Sequence, residues 1–332
     1  HDFIPQALEA GASGAILSMR SRHLRSQNKV LIQVEDTLTA LQEIARVHRS
    51  RFNIPVIAIT GSNGKTTTKE MAASILAHQF RLLKNEENLN NHIGAPLTLL
   101  RLEPIHQVAV IEMGINRPGE LRRLCQIAQP QVGLITNIGP THLEFLGDVE
   151  GVALAKAELL EALTPEGVAI LNADDEYFQF LATKVKGGLM TFSLRSQADV
   201  MASAVVLHPD RGPTFRLKIR TGSKPGEIEV SLSTVGKHNI YNALGAAAVG
   251  AYMGVDLDVI RQGLEDFKPV SMRSQLMELQ GFRVLNDAYN ANPASMVDGV
   301  MGFLKGDRAG RRIVVLGEMR ELGAQEVKLH EK

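Results

Sequence analysis

The 332-residue sequence is short of cysteine, of surplus charge and of long apolar runs. With Cys125 as its one cysteine it can form no internal disulfide, which fits a reducing cytoplasm; the helical pattern around it marks a buried structural thiol. Thirty-six Lys and Arg balance thirty-six Asp and Glu. No overall field therefore draws the chain to nucleic acid or to an anionic membrane, and any phosphate recognition must be local. The longest uncharged apolar run, Ala243 to Val255, is dotted with Gly and Ala and is too short to cross a bilayer, so it reads as a buried helix and no integral membrane segment is expected. No signal peptide is expected either. His1 at the front, and the charged helical pattern of Val327 to Lys332 at the back, give both ends the look of cuts.

What is present starts with 44% hydrophobic residues, enough for two or three domains with their own cores. Val56-Ile57-Ala58-Ile59 reads as a short buried strand, Thr60 to Thr68 as a glycine turn, and Lys69 to Ala77 as the start of a helix. Gly61 and Gly64 allow consecutive N–H groups, through Ser62, Asn63 and on to Thr67, to turn inward around phosphate oxygens at a helix N-terminus. Lys65 can bridge β- and γ-phosphates and the Thr66 hydroxyl can ligate Mg²⁺. The common six-residue spacing would need Gly at position 59, where Ile59 stands, so the loop is a shortened variant. A glycine turn with a surface lysine would need no ligand; strand, turn, Lys-Thr-Thr and helix together favour phosphate.

Residues 1–52 carry a helix at Ile4 to Ala10, strands at Gly14 to Leu17 and Lys29 to Val34, and an amphipathic helix at Thr37 to Arg49, too little for a core of their own. Arg20, Arg22, Arg25 and Lys29 form a basic cluster that reads first as a solvated face. Residues 53–268 alternate strand and helix, with strands at Val56 to Ile59, Gln107 to Ile111, Val132 to Thr136 and Gly167 to Leu171, which implies a doubly wound parallel sheet. Helices are expected at Val152 to Leu163, His238 to Tyr252 and Val255 to Phe267. The alternation from Met190 to Ser233 suggests an antiparallel flank. Residues 269–332 start a further unit: a strand at Phe282 to Asn286, a helix at Pro293 to Leu304 and a strand at Ile313 to Leu316, the first pieces of another parallel fold.

Ligands on such sheets collect at the carboxyl ends of the strands. Glu112 stands at one exit as a candidate Mg²⁺ ligand or general base, and His142 at the next. Either alone reads as readily as a capping or satisfied surface residue. Lys156 reads as a solvated helix lysine. Asn90 and Asn91 suit ordinary caps. Asn239 and Asn242 lie three apart on one face of a helix start. Asp287, Tyr289, Asn290 and Asn292 offer a carboxylate, a phenol and amides that suit a ribose and a base edge, though turn chemistry explains Asn-Ala-Asn-Pro equally well.

Together these segments resemble the Mur ligases, the ATP-dependent amide-forming enzymes of peptidoglycan precursor synthesis in the cell wall pathway. Thr60-Gly61-Ser62-Asn63-Gly64-Lys65-Thr66-Thr67-Thr68 is similar to the family's phosphate loop and Gly236-Lys237-His238-Asn239-Ile240-Tyr241-Asn242-Ala243 to its adenine-side helix. Four further stretches, Asn88 to Leu99, Glu112 to Asn116, Asp287 to Pro293 and Val315 to Gly323, look like the branch that takes UDP-MurNAc-tripeptide and D-alanyl-D-alanine as substrates. The resemblance implies that Lys65 holds phosphates, that Thr66 and Glu112 hold one Mg²⁺ and His142 a second, and that Lys156 is carbamylated to serve as a metal ligand. It also implies Asn239 and Asn242 at the adenine, Asp287 at the ribose, Arg273 at the γ-phosphate, and Tyr289, Asn290 and Asn292 along the nucleotide and acceptor side. His1-Asp2-Phe3 looks like the tail of a UDP-sugar motif, and Asn286 stands where the family often has a second Asp. A monomer is the expected unit. Folylpolyglutamate synthases and other Mur ligases share the loop, and a non-catalytic nucleotide-binding module stays open beside them.

Overall fold

The computed structural model describes residues 3–19, 29–208, 211–221, 225–304 and 311–331. His1, Asp2, Arg20, Arg22 and Arg25 lie outside them. The chain opens with α1 (Ile4–Glu9), β1 (Gly14–Ser18), β2 (Val30–Val34) and α2 (Thr37–Arg49), with β1 and β2 paired in parallel. Asp36 caps α2 by accepting from Thr39 N.

The central part runs β3 (Val56–Thr60), α3 (Lys65–Leu76), β4 (Leu82–Lys84), α4 (Gly94–Leu99), β5 (Val108–Glu112), α5 (Glu120–Ala128), β6 (Val132–Ile135), α6 (Leu143–Leu146), α7 (Val149–Ala162), β7 (Val168–Asn172), α8 (Phe178–Ala182), β8 (Gly188–Ser193), β9 (Val200–Val206), β10 (Thr214–Ile219), β11 (Gly226–Ser231), α9 (His238–Tyr252) and α10 (Leu257–Asp266). Its nine-stranded sheet has the order β11-β10-β9-β8-β7-β6-β3-β5-β4, parallel from β4 through β8. β3 is buried on both faces. Ile57 and Ile59 join a core with α3, α9 and α10, while Val56 and Ala58 join a second core with α5 and α7, as a central parallel strand requires.

The antiparallel flank begins later than the alternation suggests. β8 runs parallel to β7, and β9 pairs parallel with it over two residues before β9, β10 and β11 turn antiparallel. Alternation reports which side chains are buried, and that is the same for either strand direction.

β12 (Gln275–Leu279) and β13 (Phe282–Asn286) form a separate antiparallel hairpin, followed by α11 (Pro293–Leu304) and α12 (Glu326–Glu331). The expectation of parallel pieces here fails for a local reason. Gln280 and Gly281, at φ 49° and 82°, make a two-residue turn whose twist closes a hairpin. Ile313 to Leu316 is exposed and pairs with no strand among the described residues.

Small residues decide where α3 lies. A Cβ on Gly263 of α10 would come 2.5 Å from Ile75 Cα, and one on Gly250 of α9 would come 2.9 Å from Ile75 Cγ2. Both helices therefore approach α3 closely. On the other face, buried Arg49 donates to the carbonyls of Ala128, Phe52 and Ile54, tying α2 to the end of α5. Arg49→Ala strands three carbonyl oxygens and should cost roughly 3 kcal/mol. The expected reading is a lower urea midpoint at unchanged slope.

Candidate active site

The loop after β3 is pressed between two neighbours. Gly61 and Gly64 have φ of 144° and 79°, and a Cβ there would come 1.9 Å from Thr136 Oγ1 and 2.1 Å from Asn242 Oδ1. Only glycine combines those angles with that space. The loop is laced to the β6 exit: Ser62 N donates to Asn137 O, Asn63 N to Asn137 Oδ1, and Thr136 Oγ1 to Asn63 O at 2.6 Å. Lys65 Nζ arches over the loop, donating to Gly61 O at 2.9 Å and Ser62 O at 3.1 Å.

Glu112, at the end of β5, is almost wholly buried. Its Oε1 accepts from Thr66 Oγ1 at 3.1 Å and Asn90 Nδ2 at 2.7 Å. Its Oε2 has no hydrogen-bond partner among the described residues, and the Lys69 ammonium stands 3.9 Å away. A buried carboxylate oxygen without a donor is costly unless a cation completes it. Lys69 is itself fully buried, and it donates to Asn85 O at 2.7 Å and lies 3.0 Å from Glu70. Asn85 in turn clamps the Glu112 backbone, accepting from its N and donating to its O.

Lys65 is buried, and its charge is felt by the remaining groups. Burial lowers the pKa of its ammonium, Glu112 opposes that, and Arg273 adds to it. The charge of Lys65 acts on both His142 and Lys156. Lys156 is not the solvated lysine that its helix pattern suggests. It is 1% exposed, has no carboxylate paired with it among the described residues, and is held well below the usual lysine pKa by burial and then by Lys65. His142 follows β6 with φ 55°, and its Nδ1 meets a carboxylate oxygen of Glu321. Burial pulls its pKa down and Glu321 offsets part of this.

The C-terminal residues close one side. Arg273 lies over the Tyr289 ring at 3.9 Å. Asp287 Oδ1 accepts from Ser274 N, Asn292 caps α11 through Ser295 N, and Asn292 Nδ2 donates to Asn63 Oδ1 at 2.6 Å. Asn290 is exposed and accepts from Ala291 N. A cavity of about 840 Å³ is bordered by Ser62, Asn63, Gly64, Lys65, Thr67, Glu112, His142, Asn239, Asn242, Arg273, Asp287, Tyr289, Asn290 and Asn292. Gly61, Thr66 and Lys156 are not on its wall. Asn239 and Asn242 reach it with much of their amide capacity used: Asn239 Nδ2 donates to Val235 O and Thr234 Oγ1, and Asn242 Nδ2 to Asn239 Oδ1.

The Mur ligase middle domain profile matches residues 59–250. The UDP-N-acetylmuramoyl-tripeptide--D-alanyl-D-alanine ligase of Bacillus subtilis is 38% identical over 335 aligned residues, spanning 100% of this chain and 70% of the relative. The chain belongs to the Mur ligase family. Among solved structures, MurF from Acinetobacter baumannii superposes with a TM-score of 0.90 at 34% identity over 99% of this chain and 70% of that one. MurF from Thermotoga maritima in complex with ADP gives 0.87 at 27% identity, over 100% and 74%.

Several residues of this Mur ligase site escaped sequence reasoning. Lys69 stands one helical turn after Lys65, a spacing that was available as a signal. Asn85 follows a strand too short to be read. Asp174, just past the β7 exit, carried the same strand-exit signal as Glu112. It accepts from Ser193 Oγ, the backbone N of Leu194, Arg195 and Ser196, and Tyr241 OH, anchoring the start of α9 to the cavity wall. Burial alone would raise its pKa, but these donors outweigh burial and bring it to about 2. Burial and Asp174 push the Tyr241 phenol up to about 12. Cys125 is buried as expected, its thiol pushed up to about 12 by burial.

Two outcomes follow for this Mur ligase. Because its folded pKa is depressed, Asp174 adds stability that is fully present above pH ~4 and is lost as pH falls toward about 2. Asp174→Asn should unfold earlier than wild type at pH 7, with the gap closing at the acid end of a series of thermal melts. Gly61→Ala should fold yet lose at least about tenfold in ATP affinity by calorimetry, because its methyl group would displace the loop from Thr136.

Proposed function

We infer that the chain joins D-alanyl-D-alanine to UDP-MurNAc-tripeptide, using ATP and releasing ADP and phosphate. The observation that carries the chemistry is a glycine loop whose Lys65 shares one cavity with Glu112, His142 and Arg273, with Thr66 donating to Glu112 and the other Glu112 oxygen left without a donor among the described residues. The choice of substrates rests on the relatives named for that reaction. Nucleotide use is supported by the ADP complex of the Thermotoga relative.

The chemistry brings anions together. The tripeptide carboxylate takes the γ-phosphoryl group of ATP, forming an acyl phosphate as the bond to ADP breaks; the amine of D-alanyl-D-alanine then attacks the carbonyl and phosphate leaves with its bonding electrons. Lys65 and Arg273 neutralise charge that spreads over the phosphoryl oxygens. The residues fit Mg²⁺. Glu112 offers an orphaned oxygen and Thr66 a hydroxyl beside it, and among the described residues no group of three His, Cys, Asp or Glu forms a closed cage. Mg²⁺ takes one or two protein ligands and completes its shell with phosphates and water. It would supply charge compensation at the transferring group.

His142 and Lys156 are the candidates for a second ion. An unpaired, buried amine is nucleophilic, and its attack on CO₂ with loss of a proton gives a carbamate, turning Lys156 from a cation crowding Lys65 into an anion that attracts it. Asp287 would serve the ribose, and Tyr289, Asn290 and Asn292 the nucleotide and acceptor side. Residues 1–52 would serve as part of a UDP-sugar-binding domain, 53–268 as the central ATP-binding ligase domain and 269–332 as the first part of a Rossmann-like C-terminal ligase domain.

ADP formation should require UDP-MurNAc-tripeptide, and ligated product should require D-alanyl-D-alanine as well. ATP binding without turnover would favour the non-catalytic module, and turnover with a folate instead would favour folylpolyglutamate synthesis. Lys65→Ala should lower ADP formation at least about a hundredfold. Lys156→Ala should fall comparably and recover in part with added formate or acetate; indifference to these carboxylates would rule out the carbamate.

A further inference from the structure

We propose that Glu321 is a positioning residue for His142. Its carboxylate accepts from Nδ1–H, so Nε2 is left as an acceptor for a divalent cation, and docking of the C-terminal segment thereby completes the second metal site. The proposal rests on the reading of His142 as a ligand.

Three observations carry it. The two side chains are 179 residues apart in sequence and meet directly, Nδ1 against Oε2. The contact does not hang on side chains alone: Glu144 N donates to Glu321 O at 3.1 Å, and the flanking Met319 and Leu322 are 5% and 3% exposed. Both partners hold left-handed backbone, His142 at φ 55° and Glu321 at φ 60°, a conformation that costs a non-glycine residue free energy and is kept where surrounding structure imposes it.

Chemistry supplies the consequence. A metal-binding imidazole uses one nitrogen for the ion, and a carboxylate on the other fixes tautomer, ring plane and basicity. Glu321 occupies Nδ1, so the ring can offer only Nε2. Because Glu321 comes from the segment after α11 and His142 from the β6 exit, the imidazole is held in its ligating tautomer and orientation only when the two are docked.

The test is Mn²⁺ binding by electron paramagnetic resonance on the full chain with a β,γ-methylene analogue of ATP, together with the ¹⁴N coupling of imidazole to Mn²⁺. Wild type should bind two ions, one of them nitrogen-coupled. His142→Ala should lose the coupled ion. Glu321→Ala should weaken that ion about 10–100-fold and leave the other unchanged, while Glu321→Gln, whose amide oxygen still accepts from Nδ1–H, should fall between. Glu321 is partly exposed, so melting temperatures should stay near wild type. Wild-type affinity and coupling in Glu321→Ala, with coupling lost in His142→Ala, would overturn the positioning role alone. Two ions and unchanged coupling in His142→Ala would overturn the ligand reading and this proposal together.

Discussion

Burying a carboxylate is expensive, and Glu112 is buried at the end of a central strand with one oxygen lacking a hydrogen-bond donor among the described residues. The surrounding structure exists to make that tolerable. Lys69 lies beneath it, Lys65 acts on it from the loop, Thr66 and Asn90 hold its other oxygen, and Asn85 clamps its backbone. In the proposed reaction, a group held this firmly would pay little reorganisation when a cation and phosphates arrive, which is how a preformed charge environment lowers a phosphoryl-transfer barrier. The same low dielectric that makes the orphaned oxygen costly makes its interaction with a cation strong.

Holding that geometry is a packing problem. The loop must sit within van der Waals reach of Thr136 on one side and Asn242 on the other, and the small residues of α9 and α10 let them close on α3 without forcing it off the strand. Asp174 then ties the start of α9 back to the strand ends. The candidate site residues are thus carried on short exits, but their positions are set by two cores, one on each face of the sheet.

Much of this was legible in the chain. The buried strand, the glycine turn and the Lys-Thr-Thr helix start are local features, and the strand exits that bear Glu112 and His142 follow from the alternation of strand and helix. Less was legible at Lys156, whose helical neighbours gave it the pattern of a solvated lysine while tertiary packing buried it within reach of the Lys65 charge. The hairpin of β12 and β13 was missed because β12 carries mixed polar and apolar residues, and the turn at Gln280-Gly281 that pairs it backward is only two residues long.

By itself the sequence determined the alternating architecture and the glycine loop, because period, glycine placement and short motifs act over a few residues. Only the tertiary structure decided that Lys69 would sit under Glu112, that Lys156 would lose its solvent, and that Glu321 would meet His142 from 179 residues away. Those relations are set by which helices pack and where strand ends converge. Burial and charge neighbourhood belong to the folded whole, and no window of sequence contains them.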